Sequence, residues 1–328
     1  MKRESILSTL TLLLLASCSR ERPETVFQTL DTAFYEIPTR SLLTASDIET
    51  KKTSVTLAAY TGGKLAVSQH YTTALDAMSL ELDPSLSYTL YALVNMGDMT
   101  ASIPRLENNL EALTYRIPSY TEGTESLAKR GLPMAGKLDF PGQGTVIPVE
   151  RLLAKVTAHL SCEWEDAAIR SVRVRNLNRV LRPFGEAVMD EDWDQQEFDD
   201  GTGTASGTFV FYVPENRQGT IGGIQTSREK SPDANDEVRA RSGRLTYLET
   251  TVEGTGTIVG TILYRSYLGR NAVTDFDILR NARYDWTLRF LPDGLQYDDW
   301  KHDNDLIDSQ TGLYIRDGWD DGGETDLH

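Results

Sequence analysis

The feature that most constrains this chain is its division into short runs of β-forming residues separated by turn residues. Thr53-Ser54-Val55-Thr56-Leu57-Ala58-Ala59-Tyr60 is followed by Thr61-Gly62-Gly63-Lys64 and then Leu65-Ala66-Val67-Ser68, which reads as strand, glycine turn, strand. Met78 to Leu82 alternates apolar and polar residues and stops at Asp83-Pro84. Tyr88 to Val94 is almost continuous in β-formers, as in a central strand covered on both faces. Leu152–Leu160, Ile169–Val174, Gly207–Val213, Leu245–Val252, Thr257–Tyr264 and Tyr284–Leu291 continue the pattern, with Gly254-Thr255-Gly256 as a hairpin turn. Residues 105–113 read as one helical turn or two. Many short strands with few long amphipathic stretches predict an all-β chain of two β-sandwiches.

The N-terminus carries a separate signal. Lys2 and Arg3 precede an apolar run, Ile6 to Ala16, and Leu15-Ala16-Ser17-Cys18 closes it. Basic start, apolar core and small residues read as a secretory signal, and the cysteine makes the tetrapeptide resemble a bacterial lipoprotein lipobox. Cleavage before Cys18 and acylation of its thiol are expected; an ordinary signal peptide with an incidental cysteine is the alternative. The apolar run is shorter than the roughly 20 residues that span a bilayer, so attachment rests on lipid, each buried methylene contributing about 0.8 kcal/mol.

Charge narrows the partners. The 328 residues carry a formal −16, and loss of residues 1–17 leaves 31 basic against 48 acidic residues. Such a body repels nucleic acid phosphates, so no nucleic acid partner is expected. The two cysteines exclude a disulfide framework once Cys18 is lipidated. Cys162 then reads as a buried structural thiol. The histidines at 70, 159, 302 and 328 are dispersed, and His159 reads as a strand-face residue. No zinc, P-loop, nucleophile-elbow or dinucleotide motif is present; no catalytic residue, metal ligand or cofactor is assigned and no enzyme is expected. Asp190 to Gly207 holds seven acidic residues and four glycines or serines, a solvated linker by composition, with a calcium loop as the weaker alternative. Ser227 to Ser242 reads as a mobile polar loop.

Several phrases resemble the fimbrillin-like lipoproteins of Bacteroidetes, the subunits, anchors and tips of major- and minor-type fimbriae. They are Tyr88 to Thr100 with its Asn95-Met96-Gly97-Asp98 turn, Leu132-Pro133-Met134-Ala135-Gly136, Val149 to Thr157, Tyr212-Val213-Pro214-Glu215-Asn216, Tyr264 to Asn271, Asp275 to Ile278 and Arg280 to Tyr284. The resemblance runs over roughly residues 50 to 290. It implies two tandem transthyretin-like Greek-key β-sandwich domains. The expected division is a lipoprotein signal peptide at 1–17, an N-terminal segment with a removable strand at 18–49, and sandwiches at 50–184 and 207–297. An acidic linker at 185–206 joins them, and an acidic tail follows at 298–328.

The resemblance also implies a function. Subunits reach the outer membrane as lipoproteins, a trypsin-like arginine protease removes an N-terminal strand, and the emptied groove accepts a strand from the next subunit. Here Ala33, Tyr35 and Ile37 alternate on one face ahead of Arg40, the expected cleavage site. Arg20 and Arg22 are the other exposed candidates, with Pro23 opposing a cut after Arg22. Leu313 and Ile315 form either a donor strand or the closing edge strand of the second sandwich. The expected partners are other fimbrial subunits, the outer membrane through lipid on Cys18, and host or bacterial surface ligands. The place of work is the outer membrane surface, or the fimbrium after processing. The competing reading is a surface glycan-binding lipoprotein that uses Trp164, Trp193, Trp300 and Trp319; Trp286 lies in a strand and is expected in the core.

Overall fold

The computed structural model describes residues 26–31, 47–72, 78–83, 85–120, 127–140, 145–162, 166–189, 195–199, 206–226, 229–255, 259–290 and 313–314. Along the chain, β1 (Val26–Asp31) precedes a single helical turn, α1 (Asp47–Thr50), and then β2 (Val55–Thr61), β3 (Lys64–Tyr71), β4 (Met78–Leu82) and β5 (Thr89–Val94). A 3-10 turn, Glu107–Ala112, leads to β6 (Tyr115–Arg116), α2 (Leu127–Arg130), β7 (Met134–Asp139), β8 (Thr145–Val146) and β9 (Glu150–Arg151). The long strands β10 (Leu153–Cys162) and β11 (Ala167–Asn178) follow, then β12 (Val180–Leu181), β13 (Gln195–Asp199) and β14 (Ser206–Pro214). The chain continues through α3 (Asp236–Arg241), β15 (Tyr247–Thr255), β16 (Val259–Tyr267), β17 (Arg283–Phe290) and β18 (Leu313–Tyr314).

The protein is all-β, built as two sandwiches in tandem. The first sets a five-stranded sheet, β3-β2-β5-β7-β9, against a three-stranded one, β4-β1-β8. The second sets β14-β10-β17-β18 against β13-β11-β15-β16. The chain crosses repeatedly between facing sheets, as in a Greek key: β3 to β4 leaves the five-stranded sheet and β5 returns to it on the far side of β2. Pairing is antiparallel except between β1 and β8 and between β10 and β17.

Local chemistry explains the elements. Gly62 and Gly63 join β2 to β3 at φ of 56° and 73°. Two successive positive φ values make the mirror-image turn that matches strand twist, and glycine adopts it without steric cost. In β2, Val55 to Tyr60 are buried throughout, whereas β3, at the sheet edge, alternates toward solvent. β5 lies between β2 and β7 and is buried from Leu90 to Val94, the doubly covered strand its composition predicts. One hydrophobic cluster runs from Val55 in the first sandwich to Phe290 in the second, with Trp286 buried in it. A satellite core of Ile221, Ile224, Val238, Leu245, Tyr267 and Phe276 lies beside it.

Three segments differ from expectation. β10 and β11 fall within the 50–184 span expected of the first sandwich, yet they pair with β14, β17 and β15 of the second. Composition marks a strand but not the sheet it joins, because pairing partners lie far away in sequence. The acidic stretch expected as a linker contributes β13, paired antiparallel with β11. The expected loop 227–242 holds α3, whose start is capped by Asn235: its Oδ1 accepts from the amides of Glu237 (2.9 Å) and Val238 (3.1 Å). Val238 plugs the satellite core, which a solvated loop would not.

Candidate functional site

The N-terminal strand is the element with the least local support. β1 is the middle strand of its sheet, antiparallel to β4 from Val26↔Leu82 to Leu30↔Met78 and parallel to β8 at Leu30↔Thr145 and Asp31↔Val146. Its partners are therefore about 50 and 115 residues later in the chain. β4 turns Met78, Leu80 and Leu82 into the core and Glu81 to solvent. Without β1 that sheet has no middle, and β4 and β8 would each present unpaired amides and carbonyls on the side β1 now fills.

The chain is fastened again soon after β1. Glu49 of α1 is buried, and its Oε1 accepts from Lys155 Nζ at 2.6 Å and from the Tyr212 hydroxyl at 2.7 Å. The Arg151 guanidinium donates to the Glu49 carbonyl at 3.1 Å. Glu49 thus ties the start of the body to β10 and β14 of the second sandwich. A buried carboxylate is held there because an ammonium and a phenol replace its water.

At the opposite end, β18 pairs with β17 at Asp285↔Tyr314 and Trp286↔Leu313. It covers a small part of the outer edge of a strand whose Tyr284, Leu288 and Phe290 are among the most buried residues of the core. Within the described residues Leu313 therefore closes this chain's own second sandwich.

A second polar hub lies where the sandwiches meet. Glu215, 1% exposed, accepts from Arg280 Nε at 2.9 Å through Oε2, from Arg217 Nε at 2.9 Å through Oε1, and from the Ala187 amide at 3.1 Å. The Arg280 guanidinium also donates to the carbonyls of Pro183 and Arg182, each at 3.0 Å, and to Gly185. The next residue, Asn216, accepts from the Met189 amide at 3.1 Å and donates to the Arg244 carbonyl at 2.8 Å. In the first sandwich Asn95, at φ 62°, does the same work: its Nδ2 donates to the carbonyls of Lys51 (2.7 Å) and Leu132 (2.8 Å), and its Oδ1 accepts from the Thr53 amide (2.8 Å). The Pro-Glu-Asn and Asn-x-Gly-Asp phrases are thus joints of the scaffold: Asn95, Glu215 and Asn216 are buried and bonded inward, while Asp98 stays exposed and accepts from Thr100 in its own turn.

Cys18, Ala33, Tyr35, Ile37, Arg40 and Ile315 lie outside the described residues, as do Arg20, Arg22, Trp164, Trp193, Trp300 and Trp319. The strand that is described upstream of Arg40 is Val26–Asp31, a segment sequence reading passed over although Val26-Phe27-Gln28-Thr29-Leu30 is rich in β-formers. Cys162 is half-buried at the end of β10 rather than fully enclosed. His159 stands exposed on the same strand, 3.0 Å from Thr208 Oγ1. Among the described residues no group of histidine, cysteine and carboxylate side chains is arranged to hold a metal ion, and no helix is long and apolar enough to cross a membrane.

Comparisons with known proteins follow the same lines. A family model described as a domain of unknown function, DUF4906, matches residues 211–288. No curated protein matches the chain. Among solved structures, one described as a "putative cell adhesion protein" of Bacteroides eggerthii superposes with a TM-score of 0.58 at 14% identity, covering 89% of this chain and 95% of that one. A Parabacteroides distasonis protein of the same description gives 0.54 at 11% identity, over 92% and 99%. The tip fimbrial protein Mfa3 of Porphyromonas gingivalis, with a C-terminal truncation, gives 0.54 at 12% identity, over 89% and 98%. None of the three is described as an enzyme. The chain has the tandem β-sandwich fold of these Bacteroidales fimbrial and adhesion proteins, as its resemblance to the fimbrillin-like proteins implies.

Proposed function

We propose that the chain is a structural component of cell-surface fimbriae, a subunit, tip or anchor, made as a lipoprotein acylated at Cys18 and assembled by β-strand addition. The observation that carries this reading is β1, a short strand in the middle of a sheet whose other members come from far along the chain. A cut after Arg40 would release residues 18–40, with β1 and the Ala33-Tyr35-Ile37 segment, and free the edges of β4 and β8. A strand from a neighbouring subunit would pair there through main-chain hydrogen bonds and set alternate side chains into the vacated pockets, the tail with Leu313 and Ile315 supplying it only where it leaves the edge of β17 that it covers here. Glu49, within α1 (Asp47–Thr50), would hold the new N-terminus to the second sandwich through Lys155 and Tyr212. The partners are then other fimbrial subunits, and the place of work is the outer membrane or the fimbrium.

The test is the N-terminus of the native protein on cells, read with electron microscopy of the purified chain after arginine-specific proteolysis. A polymerising subunit begins at Ser41 and yields fibres. An anchor retains lipidated Cys18 and receives or nucleates fibres without being trimmed. A chain that keeps its N-terminus and neither forms nor joins fibres would refute the fimbrial reading.

A further inference from the structure

Where the sandwiches meet there is an open cleft of about 1350 Å³. One wall is the 3-10 turn Glu107–Ala112 with β7 at Lys137; the other is the 183–186 loop with the Leu279–Ala282 segment ahead of β17. Clefts of this kind at domain junctions are frequent ligand sites. The Glu215–Arg280 pair borders this space and leaves it open.

The lining has two kinds of chemistry side by side. Leu106, Phe184 and Leu279 offer apolar faces, while Glu107, Glu111 and Lys137 supply acceptors and a donor. The apolar part is preorganised. Tyr91 holds the Phe184 ring edge-on at 5.0 Å and is itself held edge-on by Tyr60 at 5.5 Å. Leu106 remains 47% exposed even though the backbone on both sides is pinned, Leu65 N to Arg105 O at 2.9 Å and Glu107 N to Gly63 O at 3.1 Å. The polar part is fixed as well: the Tyr91 hydroxyl donates to Glu107 Oε1 at 2.8 Å, leaving Oε2 to a ligand. Gly185 lets the two walls touch, since a Cβ there would lie 2.4 Å from the Glu111 carbonyl.

We propose that this cleft binds a short, uncharged oligosaccharide, with the C–H faces of the sugars on Leu106 and Phe184 and their hydroxyls on Glu107, Glu111 and Lys137. A hydroxyl donates and accepts at once, so it answers carboxylates and an ammonium on facing walls. An apolar ligand would strip water from those charges without replacing it. A sulfated, phosphorylated or sialylated ligand would meet Glu107, Glu111, Glu150 and Glu186 against the single ammonium of Lys137, with Arg217 and Arg280 already bound to Glu215. The site uses none of the tryptophans and does not depend on strand exchange.

The experiment is a glycan array with the full, untrimmed chain, followed by titration calorimetry of the best neutral oligosaccharide against L106A, E111Q and K137A. All three positions are exposed, so melting temperatures should stay at the wild-type value. Each change should weaken binding about tenfold or more, the worth of one hydrogen bond to a charged group or one lost apolar face. Binding unaltered by all three changes, an array answering only to acidic glycans, or no neutral glycan bound at millimolar concentration would each overturn the proposal. Fibre formation is scored separately, so failure of the assembly reading leaves this result interpretable.

Discussion

Single polar residues hold the turns of this scaffold, and their worth can be measured one at a time. Asn95 combines a left-handed backbone with three inward hydrogen bonds. Replacing it by alanine loses the bonds and adds backbone strain, and urea denaturation should show a loss of about 2–4 kcal/mol. N95G relieves the strain alone and should recover part of that loss. Lys230 tests a different balance. It is buried under the satellite core, donating to the carbonyls of Asn271 (2.9 Å) and Asp275 (2.6 Å) with its ammonium 4.6 Å from the centre of the Phe276 ring. Burial pushes its pKa from 10.5 down to about 7, against the upward pull of Asp275. The Asp275 carboxylate is itself paired with Arg270 at 2.8 Å, and Asp277 lies 3.5 Å from the same guanidinium. Between about pH 7 and 10.5 the unfolded chain keeps the Lys230 proton that the folded chain has shed, so stability at this site rises with pH across that window. Below about pH 7 both states are protonated and the cost of the buried charge is fully present. Denaturation at a series of pH values should show this rise, and K230M should flatten it.

At the scale of elements, the strands differ in how much of the chain depends on them. β2 and β5 lie deep in the first sandwich, and their loss would remove the core. β1 is paired on both sides but closes no tight turn with either neighbour, so its removal should leave the body folded. A chain beginning at Ser41 should keep its β circular dichroism, while amides of Met78–Leu82 that now face β1 exchange with solvent markedly faster. If truncation instead unfolds the five-stranded sheet, β1 is a core strand and cannot be exchanged. Much of this level was legible in the sequence. The Gly62-Gly63 hairpin, the alternation of Met78 to Leu82 and the apolar run of β5 are local patterns with local causes. The capped turn of α3 and the strand β13 were not legible. A six-residue helix lacks enough turns for periodicity, and an acidic five-residue strand shows itself only through the partner it pairs with.

The whole molecule is joined across its middle. One hydrophobic cluster includes residues of both sandwiches, β6 pairs with β12 across sequence, and Arg280 draws Glu215 and the 182–185 backbone together. Unfolding should therefore be a single calorimetric transition. Removing the guanidinium in R280A leaves the Glu215 carboxylate buried and short of its partner, and should cost about 3–5 kcal/mol. The same change should separate the transition in two if Arg280 is what couples the halves. An R280A chain that melts at the wild-type temperature would show that apolar contact alone joins them.

The sequence by itself determined that this chain is all-β, where most of its strands and turns fall, and that residues 50 to 290 carry fimbrillin-like phrases. These follow from side-chain alternation and turn chemistry, which act over a few residues. Only the tertiary structure decided which sheet each strand entered. It placed β10 and β11 in the second sandwich, put Val26–Asp31 between β4 and β8, and laid Leu313 against Trp286. It also brought Glu49 to Lys155 and Glu215 to Arg280. Pairings of that kind join residues tens to hundreds of positions apart, and they are fixed by which buried faces and charges can be satisfied together, a condition the whole fold imposes and no local stretch can state.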